Sequence, residues 1–150
     1  MSLAHMQNIL DDALRAAGHV RVEFSSAGMA EITIHGLRIA LEYVEGIESL
    51  VLFSSLGTLP SQPSASFCEY LLSTNLMGGG TGGGHIGLGP DRTLVYSVTL
   101  DASNMDGARL SNAFDRFAEK AAVLIAEVEE HGRSSNEGFS SSEMLNALWV

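Results

Sequence analysis

The fold is decided by residues 20–53, which read VRVEFSSAGMAEITIHGLRIALEYVEGIESLVLF. Apolar and polar residues alternate along this stretch, and the alternation is interrupted at residues 27–28, at residues 35–36 and at Gly46. Alternation with a period of two predicts strands with one buried face, and glycine at each interruption predicts a tight turn. We therefore expect four strands, the first over residues 20–25, paired as an antiparallel meander.

Helical spacing of apolar residues flanks these strands on both sides. It predicts a first helix over residues 3–17, a second over residues 66–77 and a long third helix that ends at Gly132. A glycine-rich stretch over residues 78–84 follows the second helix, and the alternating residues after it predict a hairpin. The expected class is therefore α+β, with a four-strand antiparallel meander, a hairpin and three helices.

The chain of 150 residues is the size of one domain. We place the α+β domain in residues 1–131. Residues 132–150 are predicted to be a Ser-rich linker followed by a short amphipathic C-terminal tail, whose apolar residues are Met144, Leu145, Leu148 and Trp149.

Composition excludes several classes of partner. Eighteen acidic residues against eight basic ones give a formal net charge of −10. Binding to nucleic-acid phosphates or to an anionic membrane needs clustered Lys and Arg, so neither partner is expected. No run of apolar residues is long enough to span a membrane, and a single cysteine excludes an internal disulfide. We expect a cytoplasmic protein.

The motifs that could carry catalysis have simpler explanations. The glycine stretch contains G-x-G-x-x-G twice, but a dinucleotide site needs the order strand, loop, helix, whereas here a helix precedes the loop and a strand follows it. A flexible connector is therefore favoured over a phosphate cradle. The five histidines lack metal-ligand spacing, Cys68 lies in an apolar stripe that predicts a buried inert thiol, and no Gly-x-Ser-x-Gly elbow is present. We expect no catalytic residue, no metal site, no cofactor and no enzymatic activity.

Excess apolar surface is the remaining anomaly. The second helix carries two apolar stripes, one over Phe67, Tyr70, Leu71 and Thr74 and the other over Cys68, Leu72 and Leu76. The strand at residues 50–53 is apolar on both faces. Either the core absorbs all of this surface, or the protein dimerises and holds a ligand chain.

Residues 70–130 carry a pattern that resembles a known family. The pattern runs LLSTNLMGGG, then HIGLGPDRTLVYSVTL, then a short acidic connector and a long amphipathic helix. An L-x-x-N-L helix end, a hairpin with a hydrophobic-Gly-hydrophobic first arm and a long last helix recur in the class I type III secretion chaperones of the Tir chaperone (CesT/SycE-like) family. The resemblance extends over about residues 3–131.

The resemblance implies a fold and a function. Members of this family are small acidic bacterial homodimers with a twisted antiparallel sheet and three helices, and they bind the N-terminal chaperone-binding segment of secreted effectors, often virulence proteins, in extended form. This keeps the segment soluble and ready for export without a nucleotide. The Ser-rich tail is not part of the family pattern, and two roles stay open for it: folding back on the dimer, or guiding docking to the secretion machinery. The secretion-apparatus ATPase is a further partner to test. Two alternatives stay open: a YbjN-like bacterial protein of the same fold without a secreted client, and a small-molecule-binding or hydrolytic domain that uses the glycine loop.

Candidate site residues follow from this resemblance and from the excess apolar surface. In the family the second helix and the last hairpin form the two-fold interface. The corresponding residues here are Phe67, Tyr70, Leu71, Thr74, Val95 and Ser97. Candidates for effector binding are Ile9, taken to lie outside the core-facing stripe of its helix, Val20, Val22 and Phe24 on the expected edge strand, and Val51 and Phe53. The neighbouring carboxylates of Glu23, Glu31 and Glu42 would favour a basic client.

Overall fold

The computed structural model describes the backbone of residues 1–147 and the side chains of residues 1–134. Its helices are α1 (Leu3–Ala16), α2 (Ala65–Asn75) and α3 (Gly107–Ala147). Its strands are β1 (Met29–Ile34), β2 (Leu37–Val44), β3 (Ser49–Thr58), β4 (His85–Leu88) and β5 (Thr93–Asp101). The strand order is β1-β2-β3-β5-β4, which confirms the predicted α+β class with three helices, a meander and a hairpin.

The β1–β2 hairpin shows how the sequence sets the register of the sheet. His35 and Gly36 both have positive φ, of 49° and 79°, as a two-residue type I′ turn requires. The turn pairs Ile34 with Leu37, and the register then brings Ile32 opposite Ile39. Because side chains alternate between the two faces, this register gathers the buried residues of both strands on one face of the sheet.

The first predicted strand is not a strand of the sheet. Residues 20–25 have no regular secondary structure and form no ladder with the sheet, and the edge of the meander is β1 instead. Among the described residues, their one backbone hydrogen bond to a strand is from the N–H of Ser25 to the carbonyl of Met29, at 2.7 Å. The side chain of Gln7 takes the place of a neighbouring strand: its Nε2 donates to the carbonyl of Val22 at 2.9 Å, and its Oε1 accepts from the N–H of Phe24 at 2.8 Å. Alternating residues predict an extended backbone, but they do not identify what satisfies its hydrogen bonds.

The chain divides into two compact units, each with its own buried residues. The first unit comprises Met1–Ser54 and Ser97–Ala122. It buries the apolar face of α1, the inner faces of β1, β2 and β3, and the first turns of α3, including Leu10, Leu41, Leu52 and Leu110, each at 0 % exposure. A Cβ added at Gly107 would lie 2.8 Å from Cβ of Asp12, so the start of α3 lies directly against α1.

The second unit comprises Ser55–Tyr96 and the described residues from Val123 onward. Its buried residues include Leu56, Phe67, Ile86, Tyr96 and Leu124. Helix α2 is capped by Ser64, whose hydroxyl accepts from the N–H of Phe67.

Helix α3 continues past its predicted end. It runs through Gly132 to Ala147, where the sequence predicted a Ser-rich linker. Gly132 does not have the positive φ that would end the helix, and an internal glycine costs only about 1 kcal/mol relative to alanine. The domain division at residue 131 stays a prediction. Leu148 and Trp149 of the predicted apolar tail lie outside the described residues, as do the side chains of Met144 and Leu145.

Candidate functional site

The face of the sheet opposite the buried one carries half-buried apolar residues. Val51 and Phe53 alternate along β3 with Leu50 and Leu52, which are fully buried. The pairing of β2 with β3 places Ala40 opposite Phe53. A small side chain thus lies beside the large Phe53 ring on this face. We call the face that contains Ala40, Val51 and Phe53 the outer face.

Carboxylates flank this outer face, as the sequence predicted. Glu42 lies opposite Val51, and Glu31 lies opposite Ala40. Glu31 is held by Arg38, whose guanidinium makes hydrogen bonds of 2.9–3.1 Å to both carboxylate oxygens. Glu42 instead lines a pocket of about 300 Å³ together with Leu3, Gly28 and Glu45. The uncompensated negative charge beside Val51 therefore comes from Glu42.

The extended segment at residues 20–25 has one satisfied edge and one open edge. Gln7 occupies the edge formed by the backbone of Val22 and Phe24. Ser25 lies on the other side, where its N–H donates to the carbonyl of Met29 at 2.7 Å. If alternation continues, the backbone groups of Arg21 and Glu23 share that side, because alternate residues of an extended chain present their polar groups to the same side. No partner among the described residues makes a hydrogen bond to them. This second side, the open edge, can accept an added strand.

The side chains of this region differ in exposure. Val20 is 84 % exposed, and Val22 and Phe24 are half-buried. Ile9, which was expected to lie outside the core-facing stripe, is only 6 % exposed and belongs to the buried face of α1. That expectation was wrong because Ile9 is next to Leu10 and still falls within the wide apolar stripe of a core-facing helix.

One apolar stripe of α2 is already used within the protomer. Phe67 is fully buried, and its ring stacks on His131 with a centroid distance of 5.7 Å. The ring of Tyr70 also stacks on His131, at 4.3 Å, and its hydroxyl donates to Oε2 of Glu127 at 2.6 Å. Burial, and then the Glu127 carboxylate, raise the pKa of Tyr70 well above its usual value. Two residues predicted for a dimer interface, Phe67 and Tyr70, thus hold α2 against the second part of α3.

The other stripe of α2 faces solvent. Leu72 is 74 % exposed and Leu76 is 69 % exposed, and Cys68, one turn before Leu72, is exposed as well. The sequence predicted a buried Cys68, and that prediction was wrong. We call Cys68, Leu72 and Leu76 the α2 stripe. Leu71 and Thr74 on α2, and Val95 and Ser97 on β5, are half-buried.

Asn75 is a site residue whose role the sequence analysis missed. Its Oδ1 accepts from the N–H of Ile86 at 2.8 Å, and its Nδ2 donates to the carbonyl of Ile86 at 2.9 Å. Asn75 therefore joins the end of α2 to β4, an edge strand of the sheet. The L-x-x-N-L motif was the available signal: its Asn holds β4, and its two leucines, Leu72 and Leu76, belong to the α2 stripe.

The glycine loop is folded back on itself. The N–H groups of Gly79, Gly80, Gly83 and Gly84 each donate to a backbone carbonyl within residues 74–81. The carbonyl of Thr81, a residue that is fully buried, accepts from the hydroxyl of Tyr96 at 2.8 Å. These four N–H groups are therefore engaged and unavailable to a phosphate, whereas a glycine-rich anion site binds its ligand through free backbone N–H groups.

The described residues contain neither a candidate membrane span nor a candidate metal site. None of their helices is both long and apolar enough to cross a membrane. Within the same residues, no group of three or more His, Cys, Asp and Glu side chains is placed to hold a metal ion.

Comparison with known proteins identifies the family. The model of the Tir chaperone protein (CesT) family matches residues 8–124. No curated protein sequence matches the chain.

Solved structures with the same fold include three complexes of secretion proteins. The Yersinia pestis type III secretion chaperone SycH in complex with a stable fragment of YscM2 gives a TM-score of 0.62 at 22 % identity, over 79 % of this chain and 98 % of that one. A chain of the HopA1–SchA chaperone–effector complex gives 0.65 at 16 %, over 87 % and 98 %. A chain of the ExoU–SpcU complex from the Pseudomonas aeruginosa type III secretion system gives 0.62 at 18 %, over 79 % and 95 %.

The fold is thus that of the type III secretion chaperones. The chain belongs to the Tir chaperone protein (CesT) family, because the family model covers most of its length. This confirms the predicted class, a chaperone of type III secretion, over the YbjN-like alternative. The interface and effector-binding residues stay predictions.

Proposed function

We propose that this chaperone binds the N-terminal chaperone-binding segment of one or more secreted effectors and keeps that segment extended, soluble and competent for export. The observation that carries the proposal is the outer face, where Val51 and Phe53 present apolar surface on the side of the sheet away from the buried core. The complexes of structurally similar chaperones with effectors support it.

Two features of the first unit fit an extended client. The open edge at Arg21 and Glu23 can pair with the backbone of an added strand, which recognises shape rather than sequence. The outer face can take apolar side chains against Val51 and Phe53, which are half-buried within the protomer. We propose Val20, Val22, Phe24, Val51 and Phe53 as contact residues. Ile9 is buried in the protomer and is withdrawn from this set.

Charge adds a preference for a basic client. Arg38 neutralises Glu31, whereas Glu42 and Glu45 line the pocket near Val44 and have no basic neighbour among its lining residues. A Lys or Arg of the client, next to the apolar side chain that contacts the outer face, could pair with the carboxylate of Glu42 or Glu45. Salt should screen this charge contribution but weaken client binding as a whole only modestly, since most of the proposed contact is apolar.

The proposed active form is a homodimer that uses the α2 stripe. Leu72 and Leu76 are too exposed to stabilise a single protomer, yet Leu76, the C-cap residue of α2, follows Leu72 by four residues, about one helical turn. A two-fold interface would bury each of them twice, with the half-buried Leu71, Thr74, Val95 and Ser97 as further candidates. Phe67 and Tyr70 contribute by holding α2 in place.

We further propose that the protein has no enzymatic activity and acts in the bacterial cytoplasm, where effectors await export. A hydrolytic or small-molecule-binding role would have to use the glycine loop, in which the N–H groups of Gly79, Gly80, Gly83 and Gly84 are already engaged. The secretion-apparatus ATPase remains a partner to test.

Substitution of Phe53 tests the client surface. Co-expression with the reading frames that neighbour its gene, followed by affinity purification, should recover a client with the wild-type chaperone. Phe53→Asp should abolish recovery while the protein stays folded and dimeric, because a charge replaces an apolar contact. Thr33→Asp, on the exposed outer side of β1, is the matched control and should retain the client. Equal recovery with Phe53→Asp and wild type would disprove the assignment of the outer face.

A further inference from the structure

A cleft of about 390 Å³ lies between the end of β5 and the first turns of α3. Its apolar lining comes from Leu100, Met105 and Ala113. Its polar lining includes Arg109, Asn112 and Arg116 from α3. None of these residues belongs to the outer face, the open edge or the α2 stripe.

Two guanidinium groups in one cleft are unusual in so acidic a chain. Only eight of the 150 residues are basic. Arg15, Arg21 and Arg38 each pair with a carboxylate, and Arg92 donates to two backbone carbonyls. Arg109 is also engaged, with Asp106 and the carbonyl of Asn104. Among the residues with described side chains, Arg116 has no ion-pair partner within 4.0 Å. Its charge is therefore available to a ligand.

Two other charged residues of the cleft, Arg109 and Asp101, bind groups close to them in the sequence. The guanidinium of Arg109 donates to the carbonyl of Asn104, and its Nε lies 3.7 Å from Oδ2 of Asp106, so this group is held at one end of the cleft. Asp101 also lines the cleft, and its carboxylate accepts from the N–H of Ser103 at 2.9 Å within its own turn.

We propose that this cleft binds an acidic peptide segment of a partner protein, in which two carboxylate side chains three residues apart flank an apolar side chain. Arg109 and Arg116 are seven residues apart on α3, which separates their Cα atoms by about 10 Å along the helix axis. In an extended polyproline II peptide, residues three apart lie on the same side about 9 Å apart. The two spacings match, and guanidinium groups pair with carboxylates through two parallel hydrogen bonds.

The same geometry disfavours a single small anion. One phosphate group could engage Arg116 or Arg109, but it would leave the other guanidinium and the apolar lining unused. An acidic peptide would use all three parts of the cleft at once. The segment would belong to a partner other than the basic client, and the proposal does not rest on the proposed client site.

A labelled peptide tests the proposal on the full-length protein. The probe is fluorescein-labelled Gly-Glu-Leu-Pro-Glu-Gly, and the control is the same peptide with glutamine in place of both glutamates. Fluorescence anisotropy should detect binding of the acidic peptide, weaker binding of the glutamine peptide and a loss of affinity as salt is added. Arg116→Gln should weaken binding about fivefold, as expected for one exposed charge pair. Arg38→Gln is the control, because Arg38 is also exposed but is paired with Glu31 away from the cleft, and it should leave binding unchanged.

Four results would overturn the proposal: no binding of the acidic peptide at millimolar concentration, equal binding of the glutamine peptide, equal weakening by Arg38→Gln and Arg116→Gln, or complete displacement by an equal concentration of inorganic phosphate. Arg116 is exposed on a helix, so its replacement should leave the thermal unfolding transition unchanged. Arg116→Lys provides a second variant that keeps the charge and loses the paired hydrogen bonds, and its affinity should fall between those of Arg116→Gln and wild type.

Discussion

Leu72→Asp should separate the dimer into folded monomers. Leu72 is 74 % exposed on the α2 stripe, so a single protomer loses little packing when it is replaced. In a two-fold interface the same change removes two buried leucines and introduces two carboxylates into an apolar contact. Burial of one leucine side chain contributes about 1.5–3 kcal/mol, so the pair contributes about 3–6 kcal/mol. The dimer dissociation constant should therefore rise by about two to four orders of magnitude.

Sedimentation velocity at micromolar protein concentration measures this change, and thermal unfolding checks that the monomer remains folded. Ile47→Asp is the matched control, because Ile47 is 73 % exposed in the turn between β2 and β3 and lies outside the α2 stripe. Its dimer should be as stable as that of the wild type. A monomeric wild type, a Leu72→Asp variant that dimerises normally, or an equal loss in Ile47→Asp would refute this interface.

Three further predictions concern the scaffold. Gly80→Ala should lower the free energy of unfolding by about 1–3 kcal/mol in urea titrations, because the added Cβ would lie 2.9 Å from both Cα and the carbonyl oxygen of Thr74. Gly87→Ala is the control: the space around Gly87 is open, so the free energy of unfolding should change little. Above pH 10 the phenol of Tyr70 loses its proton in the unfolded chain but keeps it in the folded one. The free energy of unfolding of the wild type should therefore fall faster with rising pH than that of Tyr70→Phe, by about 1.4 kcal/mol per pH unit. Parallel pH profiles of the two proteins would contradict this. Gln7→Ala should speed amide exchange of Phe24 about tenfold, since it removes the acceptor of that N–H, and unchanged exchange would show that another group holds the segment.

Most of the fold is encoded in local periodicity, because each strand of the meander buries one face and each helix buries one stripe. Residues 20–25 are a case that local periodicity does not predict. Their alternation predicts a strand, but the structure forms none there. The side chain of Gln7 on α1 binds the backbone of Val22 and Phe24, and no local pattern identifies that partner. The end of α3 fails for a different reason: a glycine ends a helix only when it adopts positive φ, and Gly132 remains helical.

The candidate site could be predicted only in part. The sequence identifies both apolar stripes of α2 but cannot tell which is covered, because the cover is provided by Glu127 and His131, about sixty residues later in the chain. Asn75 was visible in the L-x-x-N-L motif, although its clamp on β4 requires the tertiary structure. Val51 and Phe53 were identified correctly as apolar residues on the second face of a strand, since alternation with Leu50 and Leu52 exposes them whatever the partner.

Limited proteolysis of the purified chaperone–client complex tests the central claim most directly, with peptide boundaries mapped by mass spectrometry. If the client binds in extended form, the protease should remove its folded part and leave one continuous N-terminal segment protected by the chaperone. Saturating the complex with free chaperone should not change that segment, whereas Phe53→Asp should abolish its protection. Protection of a compact folded domain of the client, with its N-terminal segment digested, would contradict the account.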